Sequence, residues 1–193
     1  MRYSLVFAVA LCACAAPAIA GDAAIEVRGP DGNPLADAVV TIQTARRAAT
    51  PIRFAWPAVM QQHNIAFDPH VLVVPVGSTV GFPNMDKVRH HVYSFSKIKK
   101  FDLKLYGRDE TRSVMFDKTG VVAIGCNIHD SMSGFIVVVD TPYAMKTDAN
   151  GRVRIADVPA GNATVSVWHP DIRAPGNTLL RIPSFVWTWM NTA

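Results

Sequence analysis

The stretch Val121-Val122-Ala123-Ile124-Gly125-Cys126-Asn127-Ile128-His129-Asp130-Ser131-Met132-Ser133-Gly134-Phe135-Ile136-Val137-Val138-Val139 decides how this chain reads. Its arms are short apolar runs rich in β-branched residues, the composition of strands buried in a sheet. Between them one tight loop, Cys126 to Met132, offers a thiol, an imidazole and a thioether at C-x2-H-x2-M spacing. Soft sulfur donors retain Cu(I), and imidazole suits both copper oxidation states. Two His and one Cys in a plane with a weak axial Met form a mononuclear type 1 copper site, and the loop supplies three of those four donors.

Strand spacing places the fourth upstream. His90 to Phe95 alternates, with His90, Val92 and Ser94 on one face and His91, Tyr93 and Phe95 on the other. Neighbours on a strand face opposite sides, so only one of His90 and His91 points inward. His90 shares its face with Val92, a natural core residue, and is the candidate ligand. His91 faces away, as a candidate hydrogen-bond partner fixing the loop. The metal set is therefore His90, Cys126, His129 and Met132. His63, His70 and His169 lack paired donors at ligand spacing and read as surface residues, Met60 as core, and Asp130 as a solvated loop carboxylate. A nucleophilic Cys126–His129 pair would need an orienting third group and leaves Met132 without a role. No G-x-S-x-G, H-E-x-x-H or phosphate-cradling glycine loop occurs.

Outward from the loop, turn chemistry separates short strands. His70–Val76 and Ser78–Phe82 lead to the turn Pro83-Asn84-Met85-Asp86, and Ser113–Phe116 leads to Asp117-Lys118-Thr119-Gly120. The spacing predicts an all-β sandwich. Residues 55–62 are the one stretch where a helical turn or two is expected, limited by Pro57. The flanks have a different style. Gly29-Pro30-Asp31-Gly32-Asn33-Pro34 precedes Ala38–Ile42, and Thr147–Gly151 and Val158–Asn162 bracket Val153–Ile155 before the strand Ala163–Trp168. These flanks resemble the two halves of carboxypeptidase-regulatory or prealbumin-like β-sandwich modules. The expected organisation is a small sandwich, residues 22–50 plus 141–193, split by a copper-binding domain at 55–140. Chain ends that lie close together make such insertions tolerable. Phe185, Trp187 and Trp189 recur at strand spacing and are expected to pack on a neighbouring sheet.

Residues 1–20 read as a signal peptide. Arg2 gives a positive start, Leu5–Ala16 an apolar run of 12 residues, and Ala18-Ile19-Ala20 a cleavage site. That run is shorter than the roughly 20 residues needed to span a bilayer, and no later segment is long enough. A lipoprotein signal acylated at Cys14 is the alternative. Cleavage before Gly21 leaves Cys126 alone, with no partner for an internal disulfide, and metal ligation is one protection for such a thiol. The expected location is the periplasm. With 19 Lys and Arg against 15 Asp and Glu, the basic excess is too weak and scattered for nucleic acid. Lys97, Lys99 and Lys100 form its densest cluster, read as solvated loop charge.

Phe67-x-Pro69, Val74-x-Val76-Gly77-x-Thr79-Val80, Phe82-x-Asn84 and His90-x-Val92 resemble the strand pattern of the amicyanin- and plastocyanin-like cupredoxins. The C-x2-H-x2-M loop is similar to that of amicyanin, over roughly residues 60–140. Amicyanin-like proteins have Asn after the upstream His, and His91 stands there instead, which puts the usual Asn bonds to the Cys loop in doubt. His90-His91-Val92-Tyr93-Ser94-Phe95-Ser96, Gly125–Asp130 and Asp140-Thr141-Pro142-Tyr143 resemble a proteobacterial group labelled methylamine utilization proteins. The resemblance implies a Greek-key β-sandwich and a single-electron carrier rather than an enzyme. It also implies redox partners such as a cytochrome c or a dehydrogenase, and electron exit through His129. A copper-delivery protein with the same ligands, and a non-redox binding module, remain the alternatives.

Overall fold

The computed structural model describes residues 20–45, 51–172 and 175–181. The expected signal peptide, but for Ala20, and the aromatic tail lie outside the described residues. The fold is nearly all β. Fifteen strands are described: β1 (Ala20–Glu26), β2 (Val39–Thr44), β3 (Gln61–His63), β4 (Ala66–Asp68), β5 (Val71–Pro75), β6 (Ser78–Pro83), β7 (His90–Ser94), β8 (Phe101–Tyr106), β9 (Thr111–Phe116), β10 (Gly120–Cys126), β11 (Ser133–Val139), β12 (Ala144–Lys146), β13 (Arg152–Pro159), β14 (Ala163–Trp168) and β15 (Thr178–Arg181). The expected helical turns at 55–62 are absent. Val59 instead bridges Gly81, and β3 begins at Gln61. Pro57 blocks a helix, and the sheet edge at Gly81 supplies the partners that an extended backbone needs.

A five-stranded sheet runs β5-β11-β10-β7-β8, parallel between β5 and β11 and antiparallel elsewhere. The pair β6–β9 and strand β3 face it. Between them lies one core of alternate residues: Leu72, Val74, Val92, Tyr106, Val122, Ile124, Ile136 and Val138 against Met60, Phe67, Val80, Phe82, Val114 and Phe116. A second sandwich joins the chain's flanks. The sheet β12-β2-β14-β15 packs on the pair β1–β13 through Ala23, Val40, Ile42, Val153, Ile155, Val158 and Val165.

Strands β5 and β11 explain their own sequences. Val71-Leu72-Val73-Val74 and Ile136-Val137-Val138-Val139 do not alternate because both faces are covered. Leu72, Val74, Ile136 and Val138 enter the first core, while Val71, Val73, Val137 and Val139 pack on Val39, Ala144 and Trp168 of the second sandwich. Strand β10, read from sequence as uniformly buried, instead alternates: Val122, Ile124 and Cys126 point in, while Ala123 is exposed. Strand β8, absent from the sequence reading, pairs with β7 and makes it an interior strand. Asp102 and Lys104 mask the pattern, with only Tyr106 fully buried. Among the described residues, no helix is long and apolar enough to cross a membrane.

Candidate metal centre

Strand register brings the distant imidazole to the loop. Cys126 ends β10 opposite Val92 of β7, on the face that Val92 shares with His90. His90 and Val92 are fully buried, Ser94 almost so, and Cys126 is 3% exposed. The Cys126 amide donates to the Met132 carbonyl at 3.1 Å, and the Met132 amide to the His129 carbonyl at 2.9 Å. These bonds cinch the loop and keep Met132, 2% exposed, in the same core as Cys126. His129 is half-buried, whereas Asn127, Ile128, Asp130 and Ser131 are exposed.

The Cys126 sulfur lies 3.8 Å from Nδ1 of His90 and 3.8 Å from Nδ1 of His129. The ligand atoms of the three residues are all within 4.8 Å of one another. Bonds of about 2.0 Å to nitrogen and about 2.3 Å to sulfur, typical of zinc, with 120° between them would separate N from S by about 3.7 Å. The observed spacing fits one ion in a trigonal arrangement. The donor set, two imidazoles and a thiol with a thioether in the same loop, is that of soft or borderline ions. Cys126 is free.

His91 departs from expectation. Its Nε2 lies 2.5 Å from Asp102 Oδ1 on β8 rather than against the loop. The loop is tied by His91's carbonyl, which accepts from the Asn127 amide at 3.1 Å. Such a bond needs no particular side chain, so His in place of Asn keeps it. The side chain and amide of Lys104, then His91, hold the Asp102 carboxyl far below the usual carboxylate range. His63 and His70 are exposed as expected. His169 is only 9% exposed, because its amide binds the Asn177 carbonyl and its Nδ1 accepts from the Asp171 amide.

Asp86, read from sequence only as part of a turn, proves to touch the site. His90 Nε2 lies 2.8 Å from Asp86 Oδ2. The amides of Asn64 and Ile65 donate to the same carboxylate at 2.7 and 2.9 Å. Burial pushes the Asp86 carboxyl up, but the Ile65 amide, the His90 ring and the Asn64 amide outweigh it and leave it below its ordinary value. Asn84 Oδ1 accepts from the Asp86 amide at 2.9 Å, and Asn84 Nδ2 donates to the Val88 carbonyl at 2.9 Å. Asn64 and Ile65 form the two-residue turn between β3 and β4, both at φ 55°. Positive φ at both positions is the pattern of a type I′ hairpin turn, where Gly usually takes the second place. A β-branched residue there costs on the order of 1 kcal/mol or more. The signal in the sequence was a carboxylate four residues before the candidate ligand His90.

No protein-family model and no curated protein matches the chain. Among solved structures, a purple cupredoxin from Nitrosopumilus maritimus is 24% identical over 42% of this chain and 96% of its own, with a TM-score of 0.38. A reduced mutant of amicyanin is 23% identical over 52% of this chain and 98% of its own, with a TM-score of 0.40. A copper-containing nitrite reductase from Thermus scotoductus is 28% identical over 50% of this chain but only 26% of its own, with a TM-score of 0.42. The solved structures to which part of this chain is similar are thus cupredoxins, at low identity.

Proposed function

We propose that this chain is an exported type 1 (blue) copper protein carrying single electrons between redox protein partners. One mononuclear copper would be held by the Cys126 thiolate, His90 and His129, with Met132 axial. The supporting observation is the convergence of the His90, Cys126 and His129 donor atoms within 4.8 Å, two of these residues being buried. Bound copper supplies reversible one-electron chemistry. The chain's own part is to hold the donors still. His90 and Cys126 sit on hydrogen-bonded strands, and the loop bonds from Cys126 and Met132 hold the remaining donors. Burial excludes water from the sulfur, and half-buried His129 is the edge through which electrons pass. A complete donor set leaves no open position for a substrate, which favours a carrier over an enzyme.

The proposed division is a small sandwich of residues 22–50 plus 141–193 around a copper domain at 55–140, with residues 1–20 directing export to the periplasm. Membership of the group labelled methylamine utilization proteins, and partners such as a cytochrome c or a dehydrogenase, belong to the same proposal. The exposure of His129 also favours a second reading, copper delivery with the same ligands, which a fast loss of copper to a chelator would reveal.

The deciding experiment is the visible spectrum of the copper-loaded, oxidised protein beside its Cys126→Ser variant. An intense thiolate-to-copper band is expected only with Cys126 present. One copper per chain without that band would reject a type 1 centre, and absence of bound copper would favour a non-redox binding module.

A further inference from the structure

The electron-carrier reading uses Nδ1 of His90 and leaves Nε2 without a role. That nitrogen is 2.8 Å from Asp86, whose side chain is 12% exposed while that of His90 is fully buried. Asp86 is itself held from three directions. The successive amides of Asn64 and Ile65 grip its carboxylate, and Asn84 Oδ1 accepts from its amide. Two consecutive amides at positive φ make a concavity that binds anions, and here the anion is a side chain of the same protein. Ile65 is half-exposed, so packing does not explain its strained backbone, whereas holding Asp86 does.

A carboxylate in this position has two consequences. It requires a proton on Nε2, which leaves the lone pair on Nδ1, the nitrogen facing the Cys126 sulfur. A flipped ring would forfeit that hydrogen bond inside the core. The carboxylate also makes the imidazole a stronger donor and places negative charge beside the ion, where burial limits screening. Both favour Cu(II) over Cu(I). Resting on the copper reading above, we propose that Asp86 is a positioning residue that presents Nδ1 of His90 to the metal and lowers the reduction potential of the centre, with the Asn64–Ile65 turn as its holder.

The test is the reduction potential of the copper-loaded full chain in the wild type, Asp86→Asn and Asp31→Asn. Asp31 lies in the turn before β2 and controls for net charge. Asp86→Asn should weaken Cu(II) relative to Cu(I) about tenfold, raising the potential by about 59 mV for one electron, with no change in Asp31→Asn. Asp86→Ala should also weaken copper binding by about 10- to 100-fold, the usual cost of losing such a support. In the copper(I) wild type, a slowly exchanging Nε2–H resonance of His90 is expected, and this needs no variant to fold. An Asp86→Asn potential displaced by less than a twofold ratio, about 18 mV, in a protein that keeps its colour would overturn the proposal. So would an Nδ1–H tautomer of His90 in the wild type. A wild type that takes up no copper would sink the copper reading as well, which separates the two failures.

Discussion

Trp168 tests whether the two sandwiches are energetically one object. It ends β14 in the second sandwich and is 6% exposed. It packs in the cluster containing Val71, Val73, Val137 and Val139 from the outer faces of β5 and β11. Its ring centroid lies 5.2 Å from that of Phe135. A buried aromatic removes about 150–250 Å² from water, which at about 25 cal/mol per Å² is about 4–6 kcal/mol, an upper bound because the unfolded chain is not fully extended. Trp→Ala substitutions in cores cost about 3–5 kcal/mol, and that range is expected for Trp168→Ala. The assay is urea unfolding of the metal-free protein, followed by circular dichroism. With a slope near 2 kcal/mol per molar urea, the midpoint should fall by about 2 M. The colour of the proposed copper centre should survive under native conditions, since His90 and Cys126 lie on the opposite face of the sheet. A loss under about 1 kcal/mol would refute a shared core across β5 and β11.

Met132→Leu should raise the reduction potential while keeping the thiolate band, because a weak donor is lost at nearly constant volume; loss of all colour would reject an axial role. Gly134→Ala places a Cβ 3.1 Å from Phe67 Cβ and 3.2 Å from the His70 carbonyl oxygen. Backbone cannot yield as a side-chain tip does, so a loss of about 1–3 kcal/mol in chemical denaturation is expected. Asp22 binds Arg154 Nε at 2.7 Å, and this bond holds its carboxyl below the ordinary 3.8. A lowered native pKa gives stability that is present above the unfolded value and lost as pH falls through the native one. Asp22→Asn should therefore flatten the acid limb of a melting-temperature profile below about pH 4, and an unchanged limb would show that the pair contributes nothing.

Local chemistry determined much of this protein in advance. The period of two in His90–Ser94 chose which histidine enters the core, because a strand's neighbours cannot share a face. The loop donors were legible because seven consecutive residues carry them between two strands. The apolar run of β11 announced a buried strand, although not what covers it, whereas the equally apolar run of β10 leaves Ala123 exposed. Tertiary structure alone decided the rest. Register across β10 and β7 set the separation of His90 from Cys126, and β8 took the His91 ring away from the loop. The contact between Asp86 and a turn more than twenty residues upstream joins groups that the chain keeps apart. Periodicity reports which face a side chain occupies, since that depends on the nearest few bonds. Distances between segments depend on how sheets stack, which no local pattern encodes.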